Sequence, residues 1–376
     1  MHTAHMSPRT SHPRPPRSRR LAALGLALLA LSTAIGCNGE GPVPLDAVGL
    51  GADTPLPRRK GTLLLDACGL DPWQEATLAR PSTRAIASEV LLLCMVPRDT
   101  GALGPADKGA RAALERTVAS LRSLGYQVSL GVAFTDETGA RYDAERTRGL
   151  LRDPAFRDAL VASLEPLLPK VDAVDLDLMS APVDARADLT RLVAAVSAKT
   201  RQAKKPLGLL LPPSVATPSD LPNGEAFDRA ALAASVDRFR VMTLDYSDTT
   251  PGPTLDPGWA TDAVRLALRE QRETAVAVPL YGTDFGPRGP RGVSVLEARG
   301  LASTHGAVPR RGPTGALTFS YAEAGATHEV WYDDAESTGL ALGAFATSLP
   351  PEVGVLYYGL GAEDPLLFQR LAERTQ

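Results

Sequence analysis

The chain has 376 residues, 44% of them hydrophobic and 22% charged, with a formal net charge of -3. That is enough apolar material for one large core, and a (β/α)8 barrel of roughly 250 residues fits within it. Such a charge balance, with no basic stripe beyond the N-terminus, argues against nucleic acid or another polyanion as a partner.

Residues 1–20 carry Arg9, Arg14, Arg17, Arg19 and Arg20 and no acidic residue, and Leu21 to Ile35 is an unbroken apolar or small-residue run. A positive segment before a short apolar stretch reads as a secretory signal. The run is too short to span a bilayer comfortably. It ends in Ala34-Ile35-Gly36-Cys37, which resembles a bacterial lipobox, with Ala34 where Leu is usual. The resemblance implies a signal peptide over residues 1–37, lipidation of Cys37 and a membrane-held lipoprotein of the cell envelope, periplasmic or surface-exposed. An ordinary signal peptide with a chance cysteine is the alternative. Residues 38–60, with Gly39, Gly41, Pro42, Pro44, Pro55 and Pro57, have no apolar period and read as a tether.

From residue 61 onward, short apolar runs alternate with longer amphipathic stretches. Strands are expected over Thr62–Ala67, Val90–Val96, Gln127–Ala133, Ala173–Met179, Leu207–Leu211, Phe239–Tyr246, Ala275–Tyr281 and Val353–Tyr358. Several are apolar throughout, as parallel strands buried on both faces should be. Helices are expected over Lys108–Leu124, Pro154–Leu168, Ala185–Lys204 and Trp259–Arg272, with a last one at Ser337–Thr347. Eight strand–helix units over residues 61–376 give an α/β fold, a (β/α)8 TIM barrel. A doubly wound open sheet is the runner-up, weakened by the lack of a Gly-rich phosphate loop after the first strand. The interval from Tyr281 to Val353 is too long for one connection. Ala316–Tyr321 and His328–Tyr332, joined by a turn at Glu323–Ala326, predict a small α+β insertion between the seventh and eighth strands, at about 286–335. Cys68 and Cys94 fall near the ends of neighbouring strands. Export permits a disulfide, adjacent parallel strands seldom offer its geometry, and two free thiols are an equal alternative.

The chemistry concentrates on the fourth strand, Asp172-Ala173-Val174-Asp175-Leu176-Asp177-Leu178-Met179. Side chains alternate along a strand, so Asp175, Asp177 and Met179 share the inward face. Carboxylates inside a barrel are costly unless they are paired, protonated or near its open end. That end is where the strands finish and where barrel active sites lie. His305 and His328, the only histidines beyond residue 12, have no partner at ligand spacing, so no metal or other cofactor is expected.

The pattern D-x-x-D-x-D-x-E on a fourth strand marks family 18 glycoside hydrolases, the chitinases and their relatives. This chain resembles it at Asp172, Asp175 and Asp177 and departs from it at Met179, where the family has Glu. Val241-Met242-Thr243-Leu244-Asp245-Tyr246 resembles the family's sixth-strand M-x-Y-D-Y, with Leu244 for its first Tyr. Pro251-Gly252-Pro253 with Trp259, then Val278-Pro279-Leu280-Tyr281-Gly282, Val330–Ala335 and Gly354–Asp364 follow in order, the last two resembling the spore-germination and cortex-lytic branch most. Tyr358 stands where that branch ends its eighth strand in Trp.

The resemblance implies substrate-assisted hydrolysis, in which the sugar's own acetamido oxygen attacks the anomeric carbon. Asp177 would orient that group, Asp175 would hold Asp177, and the residue at 179 would protonate the leaving oxygen. Methionine has no proton to give, so the catalytic set of Asp175, Asp177 and Met179 is degenerate, and loss of a general acid removes about 10²–10⁴ in rate. Asp172, Met242, Asp245, Tyr246, Tyr281 and Tyr358 would contact an N-acetylglucosamine-containing glycan, chitin- or peptidoglycan-like, with the chain a monomer. For Met242 and Tyr246 core packing is an equal reading, and for Trp259 and Trp331 a structural role is preferred. The expected function is a catalytically impaired glycan binder. The alternatives are an active glycosidase with a substitute acid such as Glu137 or Asp245, and a structural envelope lipoprotein.

Overall fold

The computed structural model describes residues 54–106, 111–139, 141–216 and 224–375. The signal segment, Cys37 and the tether as far as residue 53 lie outside the described residues. In chain order the strands are β1 (Gly61–Leu65), β2 (Glu89–Pro97), β3 (Leu103–Pro105), β4 (Gln127–Ala133), β5 (Ala173–Asp177), β6 (Leu207–Leu211), β7 (Arg238–Val241), β8 (Glu273–Pro279), β9 (Gly282–Gly286), β10 (Gly289–Val293), β11 (Arg310–Arg311), β12 (Leu317–Glu323), β13 (Ala326–Tyr332) and β14 (Gly354–Tyr358). The helices are α1 (Pro72–Ala79), α2 (Pro81–Ile86), α3 (Arg111–Ser123), α4 (Ala144–Arg152), α5 (Pro154–Leu164), α6 (Arg186–Gln202), α7 (Arg229–Ala233), α8 (Pro257–Leu268), α9 (Val295–Thr304), α10 (Ala335–Ser348) and α11 (Leu367–Arg374).

Eight strands run parallel in the order β1-β14-β8-β7-β6-β5-β4-β2, and β1 pairs with β2 to close the ring. This is the expected (β/α)8 barrel. β3 adds an antiparallel edge to β2. Several of the helices around the barrel are started by aspartate. Asp71, Asp143, Asp153, Asp228 and Asp256 each accept a backbone N–H of the first turn, and proline follows directly at 72, 154 and 257. Each such cap contributes about 1 kcal/mol, and the proline pre-sets the helical φ at a position whose N–H has no intrahelical acceptor.

The barrel interior is built in layers by alternation along the strands. Val174 and Leu176 of β5 face the helices, in the large core shared with Val128, Leu209 and Phe239. The inward row begins at the bottom with Thr62, Glu89, Ser129, Asp175, Arg238 and Arg240, all buried. Above it lies an apolar layer of Leu64, Leu91, Leu93, Ala133, Leu210, Met242, Ala277 and Leu356. Met179, Leu244 and Tyr358 pack on that layer from the open end.

The insertion begins sooner and is larger than expected. β9 starts at Gly282, directly after Tyr281. A five-stranded antiparallel sheet follows in the order β10-β9-β13-β12-β11. α9 covers one face through Val295, Ala298 and Ala302, against Phe319, Tyr321, Val330 and Tyr332. On that face Asp284 accepts the Tyr321 hydroxyl at 2.9 Å and meets His328 Nδ1 at 2.9 Å.

Cys68 and Cys94 form a disulfide with Cα atoms 5.2 Å apart. Of the two alternatives left open by the sequence, the bridge is the one found. The strand geometry that argued against it does not apply, because Cys68 lies beyond the end of β1, in a bend free to approach β2.

Candidate functional site

The three aspartates of the fourth-strand motif have separate surroundings. Asp172 stands before β5, at the bottom of the barrel. It accepts Val128 N–H at 2.8 Å and pairs with Arg122 at 2.9 Å. The expectation that it contacts substrate is corrected: parallel strands start at the end opposite the mouth, so the side chain caps the neighbouring strand instead.

Asp175 is fully buried and belongs to a charge cluster. Arg238 reaches it at 2.7 Å and Arg240 at 2.7 Å, and Ser129 donates to it as well. The same two arginines hold Glu89 at 2.8 Å each. Two acids and two bases make the cluster neutral. Burial pushes the Asp175 carboxyl up, but the charges of Arg238 and Arg240 outweigh it and hold the group well below the usual carboxylate range. Gly208 on β6 makes room, since a Cβ there would collide with the Asp175 carboxylate and Arg238. The expectation that Asp175 holds Asp177 and tunes its proton is therefore corrected. Its acceptor sites are taken by guanidinium and hydroxyl donors one layer down.

Asp177 ends β5 at the mouth and is 1% exposed. Its Oδ1 accepts Met179 N–H at 3.0 Å and its Oδ2 accepts the Tyr142 hydroxyl at 2.6 Å. Burial raises this carboxyl above its ordinary range, opposed by those two bonds. Regular pairing stops at Asp177, not at Met179 as expected, because the chain turns and Ala181 N–H bonds Leu178 O at 2.8 Å. Met179 still packs on the apolar layer with Leu244 and Tyr358. Tyr142 was missed in the sequence because it lies in the irregular segment between β4 and α4, where no periodicity marks it.

The sixth-strand segment behaves likewise. β7 ends at Val241, so Met242 to Tyr246 form a loop over the mouth. Met242 is buried in the apolar layer. Asp245 has φ 55°, the left-handed region that aspartate tolerates better than most residues. Its Oδ1 accepts the Tyr281 hydroxyl at 2.7 Å. Burial, then Asp245 and Tyr358, push the Tyr281 phenol well above its normal value, so it stays a donor. The Tyr281 and Tyr358 rings meet edge to face with centroids 6.0 Å apart. Tyr246 instead packs on Trp259, 5.3 Å between centroids, and on the helix-side core. Trp259 is buried, with its indole N–H on Val215 O at 3.2 Å. Glu137 is exposed on the β4–α4 loop, and its backbone carbonyl accepts from Arg98.

The mouth thus combines one buried carboxylate bonded to a phenol, an apolar floor from Met179 and Leu244, and a tyrosine pair beside Asp245. It can accept an N–H at Asp177 and offer aromatic surface. Among the described residues no cluster of three or more metal-ligating side chains occurs.

No family model matches the chain, and no curated protein does. Solved structures do. The chitinase of Chromobacterium violaceum matches with a TM-score of 0.70 at 19% identity, over 84% of this chain and 98% of that one. The spore cortex-lytic enzyme SleL of Bacillus cereus matches with 0.70 at 17%, over 85% and 75%. The E115Q mutant of the class V chitinase of Nicotiana tobaccum, in complex with NAG4, matches with 0.63 at 14%, over 84% and 98%. At such identities the likeness is one of architecture, and the chain is a (β/α)8 barrel with the fold that these chitinases and cortex-lytic enzymes share.

Proposed function

We propose that the chain is a family 18 glycoside-hydrolase-like protein that binds an N-acetylglucosamine-containing glycan at the barrel mouth and hydrolyses it poorly. One observation carries the reading. Met179, the next inward side chain after Asp177, is a thioether packed on apolar neighbours where the resemblance calls for a carboxylic acid. A positioned general acid is worth about 10²–10⁴ in rate, and neither Met179 nor the apolar layer beneath it holds a transferable proton. Asp177, Tyr281 and Tyr358 are the residues that would contact the sugar, and the NAG4 bound by the tobacco chitinase supports that ligand class. Export and a lipid anchor at Cys37 complete the proposal, and the Cys68–Cys94 disulfide supports an oxidising compartment.

The test compares the wild type with Met179→Glu on aryl N-acetylglucosaminides. The variant should hydrolyse them at least about 100-fold faster, the lower end of the range a general acid supplies. Brisk turnover by the wild type, with no gain from the glutamate, would sink the reading.

A second reading, an active enzyme with another proton donor, is favoured by the burial that pushes Asp177 toward its protonated form. It expects a wild type that cleaves and that loses activity in Asp177→Asn, with Met179→Glu adding nothing.

A further inference from the structure

The bottom of the barrel carries an excess of basic residues. Every strand of the ring starts there, so the segment before each strand lies on that face. The segment before β6, residues 199–206, carries Lys199, Arg201, Lys204 and Lys205 and no acid. Residues 54–60, before β1, carry Arg58, Arg59 and Lys60 and no acid. Arg269 and Arg272 precede β8, which lies between β6 and β1 in strand order. Along this arc these nine basic residues stand against Asp237, Glu270, Glu273 and Glu352, in a chain whose formal net charge is -3. Lys60 pairs with Glu273 and Lys199 with Glu165. The other seven have no carboxylate within ion-pair distance among the described residues. No long run of sequence beyond the N-terminus is basic, because only closure of the barrel gathers these segments.

Helix dipoles favour bases in a last helical turn, which accounts for Lys199 and Arg201 at the end of α6. Arg58, Lys60, Lys204 and Lys205 lie outside the helices. Lys204 is exposed with φ 56°, in the left-handed region that glycine fills with least strain. The mouth has the opposite sign. Residues 66–75 hold Asp66, Asp71 and Glu75, and residues 242–256 hold Asp245, Asp248 and Asp256, with no Lys or Arg in either.

The chain also enters the fold at the bottom. Leu56 N–H bonds Arg374 O at 2.8 Å, and the Arg374 guanidinium bonds Thr54 O at 2.9 Å. Arg59 bonds Leu349 O at 3.0 Å and Val353 O at 2.8 Å. Cys37 stands 17 residues before Thr54, a reach of at most about 60 Å. An anchor at Cys37 is thus joined to the basic face and not to the mouth.

We propose that the bottom of the barrel, from the segment before β6 round to that before β1, docks on anionic phospholipid headgroups and turns the mouth away from the membrane. This rests on the lipid anchor proposed above. Each Lys or Arg near an anionic membrane surface strengthens binding about fivefold, and the same surface repels the acidic mouth.

The full lipidated chain, reconstituted in phosphatidylcholine vesicles with or without phosphatidylglycerol, tests this. A fluorophore is attached at Arg269→Cys on the bottom or at Glu137→Cys by the mouth, Cys68 and Cys94 being bridged to each other. With phosphatidylglycerol present, a headgroup-bound quencher should dim the label at 269 and spare the one at 137, and added salt should remove the difference. Arg58→Glu with Lys204→Glu should shift the ratio of docked to free bottom about thirtyfold toward free. Arg288→Glu with Arg310→Glu, the same charge change on the insertion, should leave it unchanged. Equal quenching at the two positions, or no response to the substitutions at 58 and 204, overturns the docking. So does a bottom face that ignores vesicles and binds an acidic wall polymer in solution. Loss of the chain from pure phosphatidylcholine vesicles, with the quenching difference intact on anionic ones, overturns the anchor and leaves the docking standing.

Discussion

Asp175 and Asp177 occupy the same face of β5, one layer apart. Asp175 is enclosed by Arg238, Arg240 and Ser129, and among the described residues Asp177 has a phenol and one backbone N–H. Removing the charge of Asp175 leaves Glu89 alone against two buried guanidinium groups. Breaking a buried pair in this way costs about 3–5 kcal/mol. Asp175→Asn should therefore lower the unfolding free energy by that amount in urea titrations. A change of a few tenths of a kcal/mol would show the cluster to be unimportant to the fold. Period-two alternation was enough to place both carboxylates inward, but the partners of Asp175 were not legible in the same way. Arg238 and Arg240 lie 63 and 65 residues further on, and only the closure of the barrel brings them across. A clue was present, since two arginines spaced i, i+2 in an otherwise apolar run lie on one face and need an acid there.

At the scale of elements, the strands end sooner than their apolar runs suggest. Residues beyond Asp177, Val241 and Pro279 have outrun the neighbouring strand and turn over the mouth, and these overruns hold Met179, Asp245 and Tyr281. The junction between β13 and α10 carries a different strain. Asp334 caps α10 and bonds Arg311, whereas Asp333 is buried and its Oδ2 has no partner among the described residues. Burial, then the neighbouring Asp334 charge, raise the Asp333 carboxyl to about 7. The folded protein therefore keeps a proton that the unfolded chain releases near pH 4. Stability from this group is fully present below about pH 4 and is lost as the pH rises through 7, a loss of roughly 2–4 kcal/mol by pH 8. Asp333→Asn should flatten the fall in unfolding midpoint between pH 5 and pH 8. An unchanged pH profile would mean that the carboxyl is solvated.

For the whole molecule, the layering of the barrel separates stability from chemistry. The charge cluster and the apolar layer fill the lower interior, leaving the mouth as the place where polar groups and rings converge. An N-terminal lipid would tie this mouth-bearing domain to a membrane. In a bacterial host, the full chain should sediment with membranes and the Cys37→Ser form should move to the soluble fraction, as a single acyl-bearing cysteine is the only anchor proposed. Equal partition of the two forms would remove the anchor.

The alternation of apolar runs and amphipathic stretches was sufficient for the barrel, because burial of both strand faces constrains composition locally. The Asp175-x-Asp177-x-Met179 row was equally readable, since side-chain direction along a strand follows from backbone geometry alone. That residue 179 is a methionine, with no carboxyl to offer, is likewise a fact of the chain. Which aspartate is neutralised, which cysteine meets which, and which hydroxyl reaches Asp177 were decided only in three dimensions. Those pairings join residues 26 to 65 positions apart, on elements that strand order and closure bring together, and no local pattern records such a distance.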